Sequence, residues 1–418
     1  MPKHNLAIYG GKKLFKKDMV YDWPLITPAA EKIVVKQMHS SLSIYNKSGI
    51  IAEFEDMFAA IHERKYGLLT SSGTAALHSA FYALGIGPND EVICPDYTFF
   101  ATAMPLFQLG ALPVLADCDR HGSLEPSEIE KLITKKTKAV AVTHMWGHPC
   151  DMSKIAAICK KNNLFLVEDC SHAHGARYNN KSVGTFGDIG IWSLQGQKII
   201  AAGEGGILLT NNRELYDKAQ LLGHFNKRAI QELDKAASYF QYAVTGTGLK
   251  YRSHPLGIAF AFTQLPHLKE WIKIKQINAK RIENIICSCP GITPLYPHST
   301  KIINSYYAFV FLIDEDMAGF SREDLVKAVN AEGFLDLDIP KSTAPLHGFT
   351  IFQKPISPVV KYKDACIRKQ FPNADFIYEH AVKVSVPVES KKGSRGDKFI
   401  NDLETVWNKV IDGLNSKN

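Results

Sequence analysis

The sequence lacks long hydrophobic runs. None of its 418 residues lie in an uninterrupted apolar stretch of about 18 residues, the length that a membrane span needs. The first residues, MPKHNLAIYGGKKLFKKD, also lack the long apolar region of a secretory signal peptide. We therefore expect a cytoplasmic protein with no membrane partner.

Cysteine is scarce, and its distribution argues against a disulfide framework and a metal site. The eight cysteines are scattered along the chain, and without a secretory signal they are expected to be buried or incidental thiols. Only Cys287 and Cys289 are close-set, and a metal site would need two further ligands at comparable spacing. We therefore predict that the protein holds no metal ion.

Charge of one sign is in only slight excess. Lysine and arginine outnumber aspartate and glutamate by 49 to 42, which gives a formal net charge of +7. The basic runs at 12–17 and 391–392 have no interleaved aromatic pattern of the kind that stacks on bases. We predict no nucleic-acid partner and expect a small phosphorylated or otherwise acidic ligand.

What the sequence does contain is an alternation of short apolar runs with helical segments. Hydrophobic residues at 45% and charged residues at 22% are typical of a folded globular protein. The alternation favours a parallel sheet covered by helices on both faces. The predicted strands are Tyr66–Thr70, Glu91–Cys94, Pro113–Ala116, Ala139–Thr143, Leu164–Glu168, Ile189–Ser193 and Gly206–Thr210.

The pattern changes near residue 270, where a helical segment over 268–287 leads into mixed strand and helix segments. We predict an N-terminal arm and a large α/β domain over residues 1–270, followed by a smaller α+β domain over residues 271–418. No linker rich in proline or serine separates them, so the two are expected to pack closely.

Three separated motifs carry groups suited to chemistry. The first, TSSGTAA at 70–76, follows a predicted strand and opens a predicted helix. Free backbone N–H groups and hydroxyls at such a position can bind an anion. An ordinary capped helix start is the competing interpretation.

The other two motifs contribute a carboxylate and an amine. Asp169 follows a strand at the edge where open parallel sheets bind ligands, and its carboxylate could hold a proton on a heterocyclic nitrogen. Lys198 lies among small residues before a Gly-rich turn, where desolvation would lower the pKa of its amine and allow imine formation. The alternatives are an aspartate that caps a loop and a lysine on the surface.

Together these groups form the set needed to hold pyridoxal 5'-phosphate (PLP). The chain resembles the DegT/DnrJ/EryC1/StrS family of PLP-dependent sugar aminotransferases from about residue 30 to near its C-terminus. The resemblance implies an α/β protein of the PLP-dependent transferase fold type I, with a mostly parallel seven-stranded sheet between helices and a smaller C-terminal α+β domain. It rests on SSGTAALH, GPNDEVICPDYTFFAT, VTHMWGHPCDM, VEDCSHAHGA, SLQGQK with GEGG, PLHGF and FPNAD.

The resemblance assigns the principal cofactor contacts by position. Lys198 matches the lysine that binds the cofactor as an aldimine and, once released, shuttles a proton. Asp169 matches the acid that keeps the pyridine nitrogen protonated. Gly73 and Thr74 match the backbone and hydroxyl cradle of the phosphate, and Ser193 matches a further phosphate ligand.

Three more side chains receive roles from the resemblance. Phe99 matches the aromatic residue that stacks on the pyridine ring, although core packing is an alternative and the adjacent Phe100 could serve instead. His172 matches a position near the ring oxygen. Gln195 lies where many nucleotide-sugar members carry histidine, which suggests substrate binding.

One loop departs from the family pattern. The usual Gly-x-Asn-x-Arg, which reaches the cofactor phosphate of the partner subunit, reads Gly-Leu-Lys-Tyr-Arg over 248–252. Lys250 stays a candidate for a cofactor or substrate phosphate. Arg252 is a candidate for a donor carboxylate, with a surface salt bridge as the alternative. A loop that acts across subunits implies a homodimer with sites at the interface.

The implied reaction moves the amino group of glutamate or glutamine to a keto-sugar or keto-cyclitol in ping-pong half-reactions, for amino-sugar or natural-product biosynthesis. A nucleotide-linked keto-hexose is the alternative acceptor. The alternative functions are a PLP- or sugar-binding regulator of the same fold, without turnover, and an elimination reaction on the same cofactor.

Overall fold

The computed structural model describes residues 5–415. The helices of the N-terminal part are α1 (Pro28–Ser40), α2 (Gly49–Ile61), α3 (Gly73–Ala83), α4 (Met104–Leu109), α5 (Pro126–Leu132), α6 (Met152–Lys161), α7 (Arg213–Gly223), α8 (Lys227–Glu232) and α9 (Pro255–Phe262). Its strands are β1 (Tyr66–Thr70), β2 (Glu91–Pro95), β3 (Tyr97–Phe99), β4 (Leu112–Ala116), β5 (Thr137–Thr143), β6 (Phe165–Asp169), β7 (Arg177–Tyr178), β8 (Lys181–Ser182), β9 (Ile189–Ser193) and β10 (Gly206–Thr210).

Seven of these strands form one sheet within the described residues, in the order β1-β10-β9-β6-β5-β2-β4. Neighbours from β9 to β4 run parallel, whereas β10 is antiparallel to β1 and β9. The predicted fold class, with its mostly parallel seven-stranded sheet, is confirmed. The predicted bounds of β1, β9 and β10 agree with the structure. Those of β2, β4 and β5 differ by one or two residues at one end, and β6 is shifted by one residue at both ends.

Helices cover both faces of this sheet. Successive residues of a strand point to opposite sides, so each face presents its own apolar side chains to the helices. Leu68 and Leu208 belong to a core that includes residues of α3, α5 and α6. Their neighbours Leu69 and Leu209 pack instead with residues of α2 and α9. A strand that is buried on both faces has to be apolar at consecutive positions, as these runs are.

The C-terminal part contains α10 (Leu268–Ile286), α11 (Glu315–Ala318), α12 (Arg322–Ala331), α13 (Thr350–Gln353), α14 (Pro372–His380) and α15 (Arg395–Asn415), with β11 (Ile292–Pro294), β12 (Ile302–Ile303), β13 (Phe309–Ile313), β14 (Thr343–Pro345) and β15 (Ala381–Val384). Strands β11, β13 and β15 form an antiparallel sheet, and its core is shared with α10, α12 and α15. No helix among residues 5–415 has the length and apolar character that a membrane span requires.

Two short strand pairings join the C-terminal part to the N-terminal part. Strand β14 pairs with β3, and β12 pairs with β7, both antiparallel. Main-chain hydrogen bonds therefore connect the two parts directly. The predicted boundary at residue 270 stays a prediction, since α10 begins at Leu268 and its residues contribute to both cores.

The N-terminal segment folds onto the C-terminal part of its own chain. Leu6 is 1% exposed, and the backbone N–H groups of Ala7 and Leu14 donate to the Glu332 carboxylate at 2.8 and 2.9 Å. Further along, the Tyr21 N–H donates to Asp336 at 2.9 Å. These contacts hold the N-terminal segment so that the chain after Tyr21 reaches the edge of the large sheet.

We predict that Glu332→Ala lowers the free energy of unfolding by about 2–5 kcal/mol, because its buried carboxylate accepts two backbone amides and the ammonium of Lys409. Limited proteolysis should then cut the chain before Tyr21 faster than in the wild type. Urea unfolding checks the first effect, and Glu404→Ala, an exposed change on α15, is the control. Equal stability of the two variants would contradict the role of Glu332.

Candidate active site

A cleft of about 840 Å³ lies at the carboxyl edge of the large sheet. Thr143, Asp169 and Ser193, the last residues of β5, β6 and β9, line one wall. The C-terminal part contributes residues such as Lys383, and the N-terminal segment contributes Trp23. This is the edge at which open parallel sheets bind ligands.

The structure brings most of the predicted site residues to this cleft, although their individual roles stay predictions. Lys250 and Arg252 do not line it. Those that do are Gly73, Thr74, Phe99, Asp169, His172, Ser193, Gln195 and Lys198.

The start of α3 opens into the cleft. Ser72 caps the helix by accepting the Ala75 N–H at 3.0 Å, so the capped start that competed with an anion site is present as well. A Cβ on Gly73 would lie 2.8 Å from the Ser193 Cβ, so only glycine lets the helix start approach β9 this closely. The exposed Thr74 follows, and this arrangement can bind an anion with backbone N–H groups and hydroxyls.

Asp169 is a buried carboxylate with both oxygens hydrogen-bonded. It is 5% exposed. Its Oδ1 accepts the Ser171 N–H at 3.0 Å, and its Oδ2 accepts the hydroxyl of Thr102 at 2.8 Å. These contacts fix the orientation of the carboxylate at the end of β6, so the alternative of an aspartate that merely caps a loop does not describe it fully.

A chain of three buried hydroxyls ends at Asp169. Thr98 donates to Thr143 at 3.1 Å, and the Thr102 hydroxyl oxygen lies 3.1 Å from that of Thr143 and 3.2 Å from that of Thr98. A carboxylate can only accept, so the single hydroxyl hydrogen of Thr102 goes to Asp169 and that of Thr143 goes to Thr102. Such a chain polarises in one direction and strengthens its last hydrogen bond. Sequence reasoning missed it, because the three threonines belong to separate segments and only Thr143 ends a strand of the large sheet.

Lys198 is largely buried rather than a solvated surface lysine. Burial lowers the pKa of its amine to about 8, and the negative charge of Asp169 limits the fall. The Nζ lies 4.7 Å from the centroid of the Tyr307 ring. Its backbone carbonyl accepts the indole N–H of Trp23 at 2.9 Å. The N-terminal segment therefore helps to hold a reactive amine in place.

His172 stacks against the Tyr307 ring and packs beside Trp146. Its ring centroid is 4.1 Å from that of Tyr307 and 5.6 Å from that of Trp146. Burial, with the nearby charge of Lys198, holds the pKa of His172 well below its usual range, so the ring is neutral. Its Nδ1 is buried and has no hydrogen-bond partner among residues 5–415, which leaves this nitrogen available to a ligand.

Phe99 lies at the mouth of the cleft, and Gln195 lies beside Lys198. Phe99 is 38% exposed and Phe100 39%, so the core-packing alternative for Phe99 is wrong. Of the two rings, that of Phe99 lines the cleft. The side-chain oxygen of Gln195 accepts the Gln197 N–H at 2.9 Å, which turns it back onto its own loop.

The loop with Lys250 and Arg252 lies outside the cleft of its own chain. The Tyr251 hydroxyl lies 2.8 Å from the Nδ1 of His78 on α3, and the Ser253 hydroxyl donates to the Thr70 carbonyl at 2.5 Å. On either side of Tyr251, Lys250 is exposed and Arg252 lies over the ring of Tyr45 at 4.8 Å. The loop is thus fixed to its own chain by alternate residues.

A second buried cluster contains three side chains of the kinds that bind metal ions. The potential ligand atoms lie within 4.8 Å of one another and belong to His144, Glu168 and Cys170. The Nδ1 of His144 accepts the Cys150 N–H at 3.1 Å, which makes the Nε2 its donor toward Glu168. The Glu168 carboxylate also accepts the backbone N–H groups of residues 184, 186 and 187. These hydrogen bonds stabilise the end of β6, which carries Asp169.

Comparisons with known proteins by family model, by sequence and by structure give consistent results. A model of the DegT/DnrJ/EryC1/StrS aminotransferase family matches residues 29–392. GDP-perosamine synthase of Escherichia coli O157:H7 is 38% identical over 261 residues, 61% of this chain and 69% of that protein. L-glutamine:2-deoxy-scyllo-inosose aminotransferase of Micromonospora echinospora is 31% identical over 336 residues, 78% of this chain and 79% of that protein. The solved structure of an aminotransferase from Psychrobacter cryohalolentis has a TM-score of 0.80 at 26% identity, covering 94% of this chain and 100% of that chain.

We predict that Thr102→Val lowers the free energy of unfolding by about 1.5–3 kcal/mol, because it removes a hydrogen bond to a buried carboxylate without changing the side-chain shape. Thr102→Ser keeps the hydroxyl and should restore much of the loss. Urea unfolding of the ligand-free protein at neutral pH measures both. A valine variant as stable as the wild type would contradict the role of the hydroxyl, and a serine variant as unstable as the valine variant would show that the methyl group of Thr102 contributes as much as its hydroxyl.

Proposed function

The chain belongs to the DegT/DnrJ/EryC1/StrS aminotransferase family, and on that premise we propose that its cleft transfers the amino group of glutamate or glutamine to a keto-sugar or keto-cyclitol with PLP as cofactor. The observation that carries the proposal is that a buried amine, a buried carboxylate and a helix start line one cleft. These belong to Lys198, Asp169 and Gly73.

Three features of the chain fit PLP. The missing side chain at Gly73 leaves the start of α3 open beside Ser193, where an anion can reach the backbone N–H groups. The buried Nδ1 of His172 has no partner among the described residues. The amine of Lys198, with a pKa of about 8, is far more often uncharged near neutral pH than an ordinary lysine.

In this proposal Gly73, Thr74 and Ser193 hold the phosphate, and Asp169 holds the proton of the pyridine nitrogen, with its orientation set by Thr102. His172 contacts the ring substituent, and Phe99 lies against the ring. When bound, PLP supplies a carbonyl that condenses with amines and a ring that accepts electrons.

Lys198 carries the proton transfer in this proposal. Its Nζ removes the proton from the amino-bearing carbon of the donor and later delivers a proton to the carbon of the acceptor. A pKa of about 8 suits both directions, since neither protonation state is rare near neutral pH. The Tyr307 ring stabilises the ammonium form through its electron-rich face.

The substrate classes rest on the relatives. One is named as a GDP-perosamine synthase and another as an L-glutamine:2-deoxy-scyllo-inosose aminotransferase, so a sugar and a cyclitol acceptor both stay in the proposal. Glutamine is the donor in the printed name of the second. A cytoplasmic location stays a prediction.

A homodimer with shared sites is also part of the proposal. The loop that carries Lys250 and Arg252 is fixed to its own chain through Tyr251 and Ser253. Lys250 is exposed and Arg252 lies over the Tyr45 ring, and in this proposal both cations complete the cleft of a second copy. Exposed apolar side chains in this loop, in the residues just before it and against Arg252 fit a subunit interface, namely Tyr45, Tyr242, Val244 and Leu249.

We predict that the purified protein with PLP shows the visible absorbance band of the bound cofactor and that L-glutamate or L-glutamine removes it. Lys198→Ala should slow this conversion roughly 10²–10⁴-fold, because the group that moves the proton is lost. Stopped-flow absorbance measures the rate. Lys273→Ala, an exposed lysine on α10, is the control and should behave as the wild type.

The same spectra separate the alternatives. A bound cofactor that no amino acid converts would contradict amine transfer and favour a binding protein without turnover. Conversion of an amino acid with release of ammonia would favour elimination. Failure to bind PLP at all would overturn the assignment of the cofactor.

Mixed dimers test the shared site. A protomer with Lys198→Ala and a protomer with Lys250→Ala and Arg252→Ala should each be poorly active alone. After random exchange of equal amounts, half of the dimers are hybrids with one intact site in two, so activity should recover to about a quarter of the wild type. No recovery, with hybrids verified by native mass spectrometry, would contradict sharing across subunits.

A further inference from the structure

Lys275 is a buried cation in the wall of the cleft that the C-terminal part supplies. It lies on α10, is 5% exposed and lines the same cleft as Ser385 and Val386. Its Nζ donates to the backbone carbonyl of Val386 at 2.5 Å. The proposed cofactor contacts do not use it.

No carboxylate pairs with this ammonium. Among residues 5–415, no carboxylate oxygen lies within 4.0 Å of the Lys275 Nζ. The acid whose charge acts on it is Asp336, and the two oxygens of Asp336 are already bound to the N–H groups of Tyr21 and Ser385, at 2.9 and 2.8 Å.

Other acids of this wall are engaged as well. Asp338 lies between two lysines, with its oxygens 3.3 Å from the Nζ of Lys341 and 3.7 Å from that of Lys383. Within residues 5–415 no carboxylate therefore contacts Lys275 directly, and the negative charge of Asp336 acts on it from a distance.

An ammonium group has three N–H donors, and the described residues accept one of them from Lys275. Burial disfavours the charge and lowers the pKa of Lys275 to about 7, although the negative charge of Asp336 limits the fall. A bound anion would supply both the missing charge and acceptors for the remaining donors. A buried cation that lacks a partner beside a cleft is thus suited to an anionic ligand.

We propose that Lys275 is the subsite for an anionic group of the substrate, either a carboxylate of the amino donor or a phosphate of the acceptor. This deepens the proposed function and rests on it for the identity of the substrates. The subsite is distinct from the start of α3 because it belongs to α10 and the segment after β15, on the wall of the C-terminal part.

The shared chemistry of the two sources is an oxyanion that accepts charge-assisted hydrogen bonds. Glutarate represents the donor, since it has the two carboxylates of glutamate but no amino group that could react. Inorganic phosphate represents a phosphorylated acceptor. Titration calorimetry of the PLP-loaded protein gives the Kd of each probe without turnover, and loading with PLP occupies the other anion site first.

Two variants separate charge from structure. Lys275→Gln can still donate to the Val386 carbonyl but has no charge, whereas Lys275→Arg keeps both the charge and the donor. We expect Lys275→Gln to raise the Kd of one probe by about tenfold or more, the loss of a charge-assisted hydrogen bond. Lys275→Arg and the control Lys273→Gln, an exposed position on the same helix, should stay within about threefold.

A further measurement covers the case in which Lys275→Gln does not fold. The place of this variant is then taken by the wild type at several pH values, because an anion at this subsite favours the ammonium form of Lys275, whose pKa is about 7. With glutarate, or with sulfate in place of phosphate, both of which keep their charge in this range, the Kd should rise between about pH 6 and about pH 8. During turnover, Lys275→Gln should raise the KM of the substrate concerned and leave kcat nearly unchanged.

A change in glutarate alone assigns the donor carboxylate, and a change in phosphate alone assigns the acceptor phosphate. The proposal is overturned if the wild type binds neither probe, or if Lys275→Gln and Lys275→Arg bind both probes as the wild type does. Because the Kd values need no turnover, they can support the subsite even where glutamate fails to convert the cofactor, a failure that would count against the proposed function alone.

Discussion

The buried carboxylate of Asp169 is the constraint around which the cleft is organised. A charge at the end of a central strand is tolerated only when its oxygens are hydrogen-bonded, and here a backbone amide and a threonine hydroxyl supply those bonds. The hydroxyl comes from the segment after β3 and is aligned in turn by β5. The positions of three neighbouring segments thus follow from the need to keep one carboxylate satisfied.

The charge of Asp169 also acts on Lys198, whose amine lies where burial disfavours its own charge. It shares the cleft with Asp169, whose charge moderates the effect of burial on its pKa, and its backbone is held by the indole of Trp23. The N-terminal segment reaches this point because its backbone is bonded to Glu332 and Asp336. A segment that the sequence left uninterpreted therefore has a place in the wall of the cleft.

Most of the fold and the cleft was predictable because both depend on local patterns. The strands are apolar at consecutive positions, and the residues at their carboxyl ends meet at one edge whatever the loops do, so Asp169, Ser193 and the start of α3 could be placed from the sequence. The features that could not be predicted depend on contacts between residues that are far apart in the sequence. The order of hydroxyls at Thr98, Thr143 and Thr102 and the burial of Lys275 arise only after remote segments pack.

The pairings of β14 with β3 and of β12 with β7 limit how the protein can move. A swing of the C-terminal part as a rigid lid would break main-chain hydrogen bonds at both edges, which makes wide hinge opening costly. Substrates and products must then exchange through displacements of side chains and loops at the mouth. Strand β3 also carries Thr98, the first donor of the hydroxyl chain, so small strains in the C-terminal part reach Asp169 through a short and mechanically stiff connection.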